Sequence, residues 1–334
     1  MKLLYIGNKL SIHGINATTV ETLSEKFLES GFELVSVSNK LNFFSRILDM
    51  IRACFFEKNI NYIIIDTYST KAFWYAFFCS QIARLRGIKY IPFLHGGDLP
   101  NRLKKTPFLT KLIFKNAHIN VAPSNYLKSQ FHENGYVNVV FIPNTFDVQN
   151  YDFKQRINIH PNLLWVRALA ELYNPEMALK VLALLKEDYP TATLTMIGPD
   201  KEDCLQELKD EAQRLGIKVN FTGKLSKTDW IKLSKESDIF INTTNFDNTP
   251  VSVMEAMALG LPIVSTNVGG LPYLLRDNET ALLCNPNDEV QMVVLIKKYL
   301  NDCQLVNSIT KNARLESEKW DWSVVKKEWQ KILR

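Results

Sequence analysis

The chain is predicted to be an α/β protein made of two doubly wound parallel-sheet units in series. Three observations predict it. Short apolar runs alternate with stretches of helical periodicity from the first residues onward. The alternation breaks once, at Pro143-Asn-Thr-Phe-Asp147 and the polar segment 148–162, and then restarts. The length of 334 residues is generous for one α/β core and comfortable for two.

In chain order, the first half offers strands at Leu3–Ile6, Leu34–Val37, Tyr62–Ile65, Tyr90–Leu94, Ile119–Ala122 and Val139–Ile142. Helical stretches fall near 17–30, 41–58, 70–86 and 124–133. After the break come strands at Leu163–Val166, Thr193–Ile197, Lys218–Phe221, Ile239–Ile241, Pro262–Val264 and Ala281–Leu283. Helices are expected near 175–188, 202–215, 227–236, 251–259 and 289–300. These patterns place a first unit over 1–150 and a second over 151–317. The Trp-rich amphipathic tail, 318–334, is expected to pack back across the junction. Two units in series provide a cleft, a usual place for ligands.

Composition narrows the class. Hydrophobic residues make up 46% and charged residues 22%, an ordinary globular balance. The net charge of +5 is uneven: residues 1–150 carry 17 Lys+Arg against 10 Asp+Glu, and the remainder carries 23 against 25. The first half therefore either meets something anionic or presents a solvated basic face. The five cysteines are scattered, with no Cys-x-x-Cys, which speaks against a zinc site or a disulfide framework and for a reducing compartment. The first residues read as a buried strand and not a signal peptide, and no apolar run reaches membrane-spanning length. A cytoplasmic protein, peripheral on the inner face of a membrane, is expected.

The most informative stretch runs from Asn245 to Gly260. It sets Asp247 in a turn-forming Asp-Asn-Thr-Pro ahead of a helix that begins near Val251, with Glu255 inside that helix. A helix mouth offers free N–H groups and a positive dipole end to phosphate. Flanking carboxylates suit sugar hydroxyls. Together they point to a site for a sugar carried on a diphosphate. Arg167, just past the second unit's first strand, has the planar fork that binds two phosphate oxygens.

Other turns are open to two readings. The first strand–helix turn, Gly7 to Ala17, does not match Gly-x-Gly-x-x-Gly, which excludes a nicotinamide fingerprint. Gly14 within it either lets backbone approach a phosphate or is a plain loop glycine. His95, at a strand end before two glycines, either bonds a sugar hydroxyl or is a structural hydrogen bonder. Asp98 has capping or turn duty as its default. Gly269-Gly270 admits either a ligand or tight helix–sheet packing. Residues 39–58 and 101–115 both interleave bulky apolar and basic residues, as interfacial helices do. The first is expected to be largely core, leaving the second, with Arg102, Lys104, Lys105, Lys111 and Lys115, as the better membrane contact.

Taken together, these residues resemble the retaining family-four glycosyltransferases, the glycosyl transferases group 1, which have the GT-B fold. The block Pro250–Gly270 carries the resemblance most specifically; the His95-Gly96 turn, Ile142-Pro-Asn144 and the Trp-rich tail echo it. It implies two Rossmann-like domains facing across a cleft, an N-terminal one for the acceptor and a C-terminal one for a nucleotide-diphospho-sugar. By position it implies Glu255 on the ribose, Asp247 on the donor sugar, and the backbone of Val251 and Ser252 with Arg167 on the diphosphate. Gly14 and His95 would approach from the other domain, and the base would lie near Gly198 and Leu225. His95, Arg167 and Asp247 are then the residues nearest the chemistry.

Three departures stand out. Asp247 replaces the usual Glu. Tyr173 occupies the position where the family often has a second, lysine cation. Tyr273 ends the common Gly-Gly-x-Pro-Glu. No Asp-x-Asp occurs, so neither a metal nor another cofactor is expected. The implied activity is sugar transfer to a glycan or glycolipid in cell-surface polysaccharide or lipopolysaccharide synthesis. A non-catalytic nucleotide-sugar-binding scaffold and a nucleotide-sugar epimerase are the alternatives. Nucleic acid is not an expected partner, since no motif supports it.

Overall fold

The computed structural model describes residues 1–14 and 17–334; Ile15 and Asn16, within the first glycine turn, lie outside the described residues. The chain divides into two compact units, Met1–Thr145 with Trp322–Arg334, and Phe146–Asp321.

The first unit runs β1 (Lys2–Ile6), α1 (Thr19–Glu29), β2 (Glu33–Val37), α2 (Phe43–Phe56), β3 (Tyr62–Thr67), α3 (Phe73–Leu85), β4 (Lys89–Leu94), α4 (Leu99–Lys105), α5 (Pro107–Phe114), β5 (Asn120–Ala122), α6 (Asn125–Glu133) and β6 (Val139–Phe141). Its six strands pair in the order β2-β1-β3-β4-β5-β6, all parallel. Strand residues alternate between two cores. Leu3, Tyr5, Tyr62 and Ile64 pack with Phe27 of α1, and Leu4, Ile6, Ile63 and Ile65 pack with Met50, Cys54 and Cys79 of α2 and α3. Burial on both faces is why these strands are continuous apolar runs.

The second unit runs β7 (Asn162–Val166), α7 (Pro175–Asp188), β8 (Thr193–Ile197), α8 (Leu205–Arg214), β9 (Asn220–Gly223), α9 (Lys227–Ser234), β10 (Ile239–Asn242), α10 (Val251–Ala258), β11 (Ile263–Thr266), α11 (Leu271–Leu274), β12 (Leu282–Cys284), α12 (Glu289–Asn301) and α13 (Cys303–Glu318). Its strands pair in the order β12-β11-β10-β7-β8-β9, again parallel. The last helix, α14 (Trp322–Ile332), belongs to the first unit, where Trp322 and Trp329 meet Phe27 edge-on.

All twelve expected strands are present, with β9 shifted two residues towards the C-terminus. Helix α13 went unread in the sequence, although Asp302 caps it by accepting from the Leu305 N–H and Val306, Ile309 and Ala313 repeat at helical spacing.

The two stretches that interleave bulky apolar and basic residues fold differently. Residues 101–115 form α4 and α5, parted at Thr106–Pro107; Leu103, Ile113 and Phe114 are buried, while Phe108 is exposed. Proline ends α4 because the residue before it is driven out of the helical region. Residues 39–58 instead form a helix whose only buried members are Met50 and Cys54. The apolar arc of α2 is wide, so periodicity could not say which edge of it would face the sheet.

Arg156 fixes the footing of two helices. Its guanidinium is buried and donates to the carbonyls of Ser234 (3.0 Å) and Ser237 (3.2 Å) after α9, and of Leu259 (3.1 Å) and Gly260 (2.8 Å) after α10. These are the carbonyls that a helix C-terminus leaves unpaired.

Candidate functional site

In each sheet the strand order reverses at one point, between β1 and β3 in the first unit and between β7 and β10 in the second. Loops leaving the carboxyl ends of strands at such a reversal frame the crevice where open α/β sheets bind ligands.

In the second unit, Arg167 directly follows β7, and the loop Thr243–Pro250 follows β10. The two connections are stitched together. Thr243 receives the indole N–H of Trp165 at 2.9 Å and donates to the Tyr173 and Asn174 carbonyls at 2.9 and 2.8 Å. Asn245 N–H donates to the Leu172 carbonyl at 2.9 Å. This lays the Tyr173 ring under Arg167, whose guanidinium carbon is 4.7 Å from the ring centroid. A neutral ring thus occupies the place expected for a second cation. Arg167 also pairs with Asp247. Burial pushes its guanidinium down to about 10, against the opposing influence of Tyr173, so it stays cationic at neutral pH.

Helix α10 begins at Val251 as expected, with Pro250 at its N-cap and no side chain capping it. Its first N–H groups therefore have no partner within the helix. Thr249 Oγ1, Ser252 Oγ and Arg167 Nε are buried polar atoms with no hydrogen-bond partner among the described residues. An uncapped helix mouth with unmet donors beside a part-buried cation is suited to an anion with several acceptor oxygens. Val251 itself is exposed.

Glu255 lies one turn inside α10 and is buried. One of its oxygens, Oε1, accepts from the Tyr151 hydroxyl at 2.7 Å and from Lys227 Nζ at 2.6 Å. The Tyr151 phenol is pushed well up, first by burial and then by Glu255, so it remains a donor. Neither Tyr151, in the polar segment after the break, nor Lys227, behind the cap Ser226, was singled out from sequence. They orient the carboxylate, and no hydrogen bond reaches Oε2 among the described residues.

The glycines divide by what surrounds them. A Cβ on Gly198 would lie 1.7 Å from the Arg167 carbonyl oxygen, and one on Gly270 1.8 Å from that of Asn248. Gly270 N–H donates to the Asp247 carbonyl at 2.7 Å. Both serve backbone packing that places Arg167 and Asp247. Leu225 is part-buried against the α10 core.

Gly14 and His95 belong to the first unit. Gly14 closes a short turn of 3-10 helix at φ +77°, and a Cβ there would meet nothing within 4 Å. His95 follows β4. Its Nε2 bonds Asp66 Oδ1 at 2.9 Å, its ring stacks on Tyr68, and its N–H donates to the Thr67 carbonyl at 2.8 Å. With Nε2 donating, the neutral ring offers Nδ1 as acceptor. Asp66, fully buried at the end of β3, also accepts from the Tyr5 hydroxyl at 2.9 Å. A carboxylate closing an apolar strand was the sequence signal for it. Asp66→Ala is expected to cost about 1–3 kcal/mol for each group it orphans, read as a lower urea midpoint with unchanged slope.

Comparison with known proteins bears on the family and the fold. The family model for glycosyl transferases group 1 matches residues 147–316. The chain is 31% identical over 152 residues to the sulfoquinovosyl transferase SQD2 of Arabidopsis thaliana, covering 44% of this chain and 29% of that protein. It is 25% identical over 172 residues to an α-1,4-N-acetyl-D-galactosaminyltransferase of Campylobacter jejuni named for a PP-undecaprenol-linked saccharide, covering 51% of this chain and 47% of that protein. The chain thus spans less than half the length of either relative. Among solved structures, HepE of Anabaena in complex with UDP-glucose superposes with a TM-score of 0.79 at 18% identity, covering 100% of this chain and 99% of that one. The likeness is one of fold, the GT-B architecture of two parallel-sheet units.

Proposed function

Since the chain belongs to the glycosyl transferases group 1 family, we propose that it transfers a sugar from a nucleotide-diphospho-sugar to a glycan or lipid-linked acceptor, with retention at the anomeric carbon and without a metal. One observation carries the reading. Arg167, part-buried and with a buried Nε unmet, stands at the strand reversal beside an uncapped helix mouth whose Thr249 and Ser252 hydroxyls are also unmet.

On this reading the diphosphate lies across the α10 mouth and the Arg167 fork. Glu255, held by Tyr151 and Lys227, receives the ribose hydroxyls on Oε2. Asp247 is shared between Arg167 and the donor sugar. The bond from the anomeric carbon to the phosphate oxygen breaks, and the acceptor oxygen bonds to that carbon on the same face. The acceptor's proton passes to a phosphate oxygen of the leaving nucleoside diphosphate. Arg167 and the helix dipole stabilise the charge that builds on that group. Their placement, with the absence of Asp-x-Asp from the sequence, supports a route that needs no metal. The name of the Campylobacter jejuni relative supports a lipid-carried acceptor, and the lysines of 101–115 supply charge suited to an anionic membrane. Cell-surface polysaccharide or lipopolysaccharide synthesis is the pathway class that fits.

A thermal-shift panel of nucleotide-sugars tests the donor site. A matching donor at ~100 times its Kd should stabilise the chain by about 2.7 kcal/mol, and EDTA should leave that shift unchanged. If no nucleotide-sugar moves the midpoint, the donor reading fails; if EDTA abolishes the shift, the metal-free part of it fails.

A further inference from the structure

Helices α2 and α3 pack side by side over one face of the first sheet. Their outer sides are apolar. On α2, Phe44, Leu48, Arg52 and Phe55 follow one another at helical spacing as an exposed stripe, with Phe44 at 74% and Leu48 at 61% exposure. Trp74 and Phe78 stack on each other on the exposed side of α3. A contiguous set of large apolar side chains on a folded surface marks an interaction site.

The charge around this face selects the occupant. Residues 43–115 hold 12 Lys+Arg and four Asp+Glu, a net +8. None of the four carboxylates competes: Asp66 is buried, Asp49 accepts from Ser38, Glu57 pairs with Lys2 at 3.2 Å, and Asp98 accepts from Asn101. Helices α3, α4 and α5 contain no acidic residue. Helix α5 adjoins α3 and α4, so the basic segment 101–115 borders the apolar face. Aromatic and aliphatic side chains ringed by uncompensated cations match the interface of an anionic lipid bilayer, where rings enter the headgroup boundary and cations meet phosphate. A second copy of this chain would oppose cation to cation.

We propose that the α2–α3 face is a membrane-docking surface that inserts Phe44, Leu48, Phe55 and Trp74 into the headgroup region of an anionic bilayer, with the lysines of α4 and α5 on its phosphates. It rests on exposure and charge within the first unit and does not depend on the donor-site reading.

Vesicle flotation of the full chain tests it, using phosphatidylcholine alone and phosphatidylcholine mixed with phosphatidylglycerol. The chain should float with the mixed vesicles, weakly with the neutral ones, and less as salt rises. The triple variant Phe44→Ser, Leu48→Ser, Phe55→Ser should lower the bound fraction roughly tenfold or more while keeping its far-ultraviolet circular dichroism and its nucleotide-sugar thermal shift. Trp74 is the exposed one of six tryptophans, so in the unaltered chain its emission should move to the blue and be quenched by brominated lipid. Absence of flotation at low salt would overturn the proposal, as would equal flotation of the triple variant. So would a dimer in sedimentation velocity that the triple variant dissociates while vesicles bind neither form.

Discussion

Arg167→Ala is expected to lower kcat by ~100-fold or more, with the protein still folded. The substitution removes the cation that follows β7 beside the α10 mouth and frees the Asp247 carboxylate it had paired. That freed charge would repel a diphosphate, so KM for the donor should rise as well. Arg167→Lys separates the two contributions. It restores a positive charge but not the planar fork, and should recover affinity more than turnover. The double variant Arg167→Ala, Asp247→Asn removes the repulsion and should recover part of the KM loss only. Steady-state kinetics against donor concentration read all three, and near-normal turnover of Arg167→Ala would remove it from its role at the leaving group.

Gly198→Ala is expected to destabilise the second unit by about 2–4 kcal/mol and to weaken donor binding at the same time. Its Cβ would sit 1.7 Å from the Arg167 carbonyl oxygen, and its φ of +155° is one that side chains rarely adopt. The neighbour is backbone, so relief must come from moving the Arg167–Ala168 connection, and the guanidinium moves with it. Gly223→Ala is the control. It has positive φ but open space around it, so it should cost only about 1 kcal/mol. Urea denaturation with and without donor measures both effects; equal losses in the two variants would show that the close approach to Arg167 carries no weight.

Much of this was legible in the sequence because burial on both faces leaves a plain trace. Parallel strands such as Tyr62–Thr67 and Ile263–Thr266 read as apolar runs, and the Asp-Asn-Thr-Pro turn announces the start of α10. What stayed hidden depends on contacts between distant positions. Tyr151 meets Glu255 across 104 residues, and Lys227 reaches the same oxygen from another helix. Tyr173 was read as an absent lysine, whereas its ring supports Arg167 from below. The outward stripe of α2 was hidden for a different reason: its apolar arc is wider than the strip that reaches the sheet, and only packing chooses which edge of it faces water.

The Arg156 anchor separates what holds α10 from what α10 offers. The carbonyls it engages lie at and beyond the helix's C-terminal end, while Asp247, Thr249 and Ser252 lie at the other. Substitutions at the mouth can therefore accumulate without loosening the footing. In evolutionary terms the segment is modular: new residues can be tried at 247, 249 or 252 on a helix whose position is insured elsewhere.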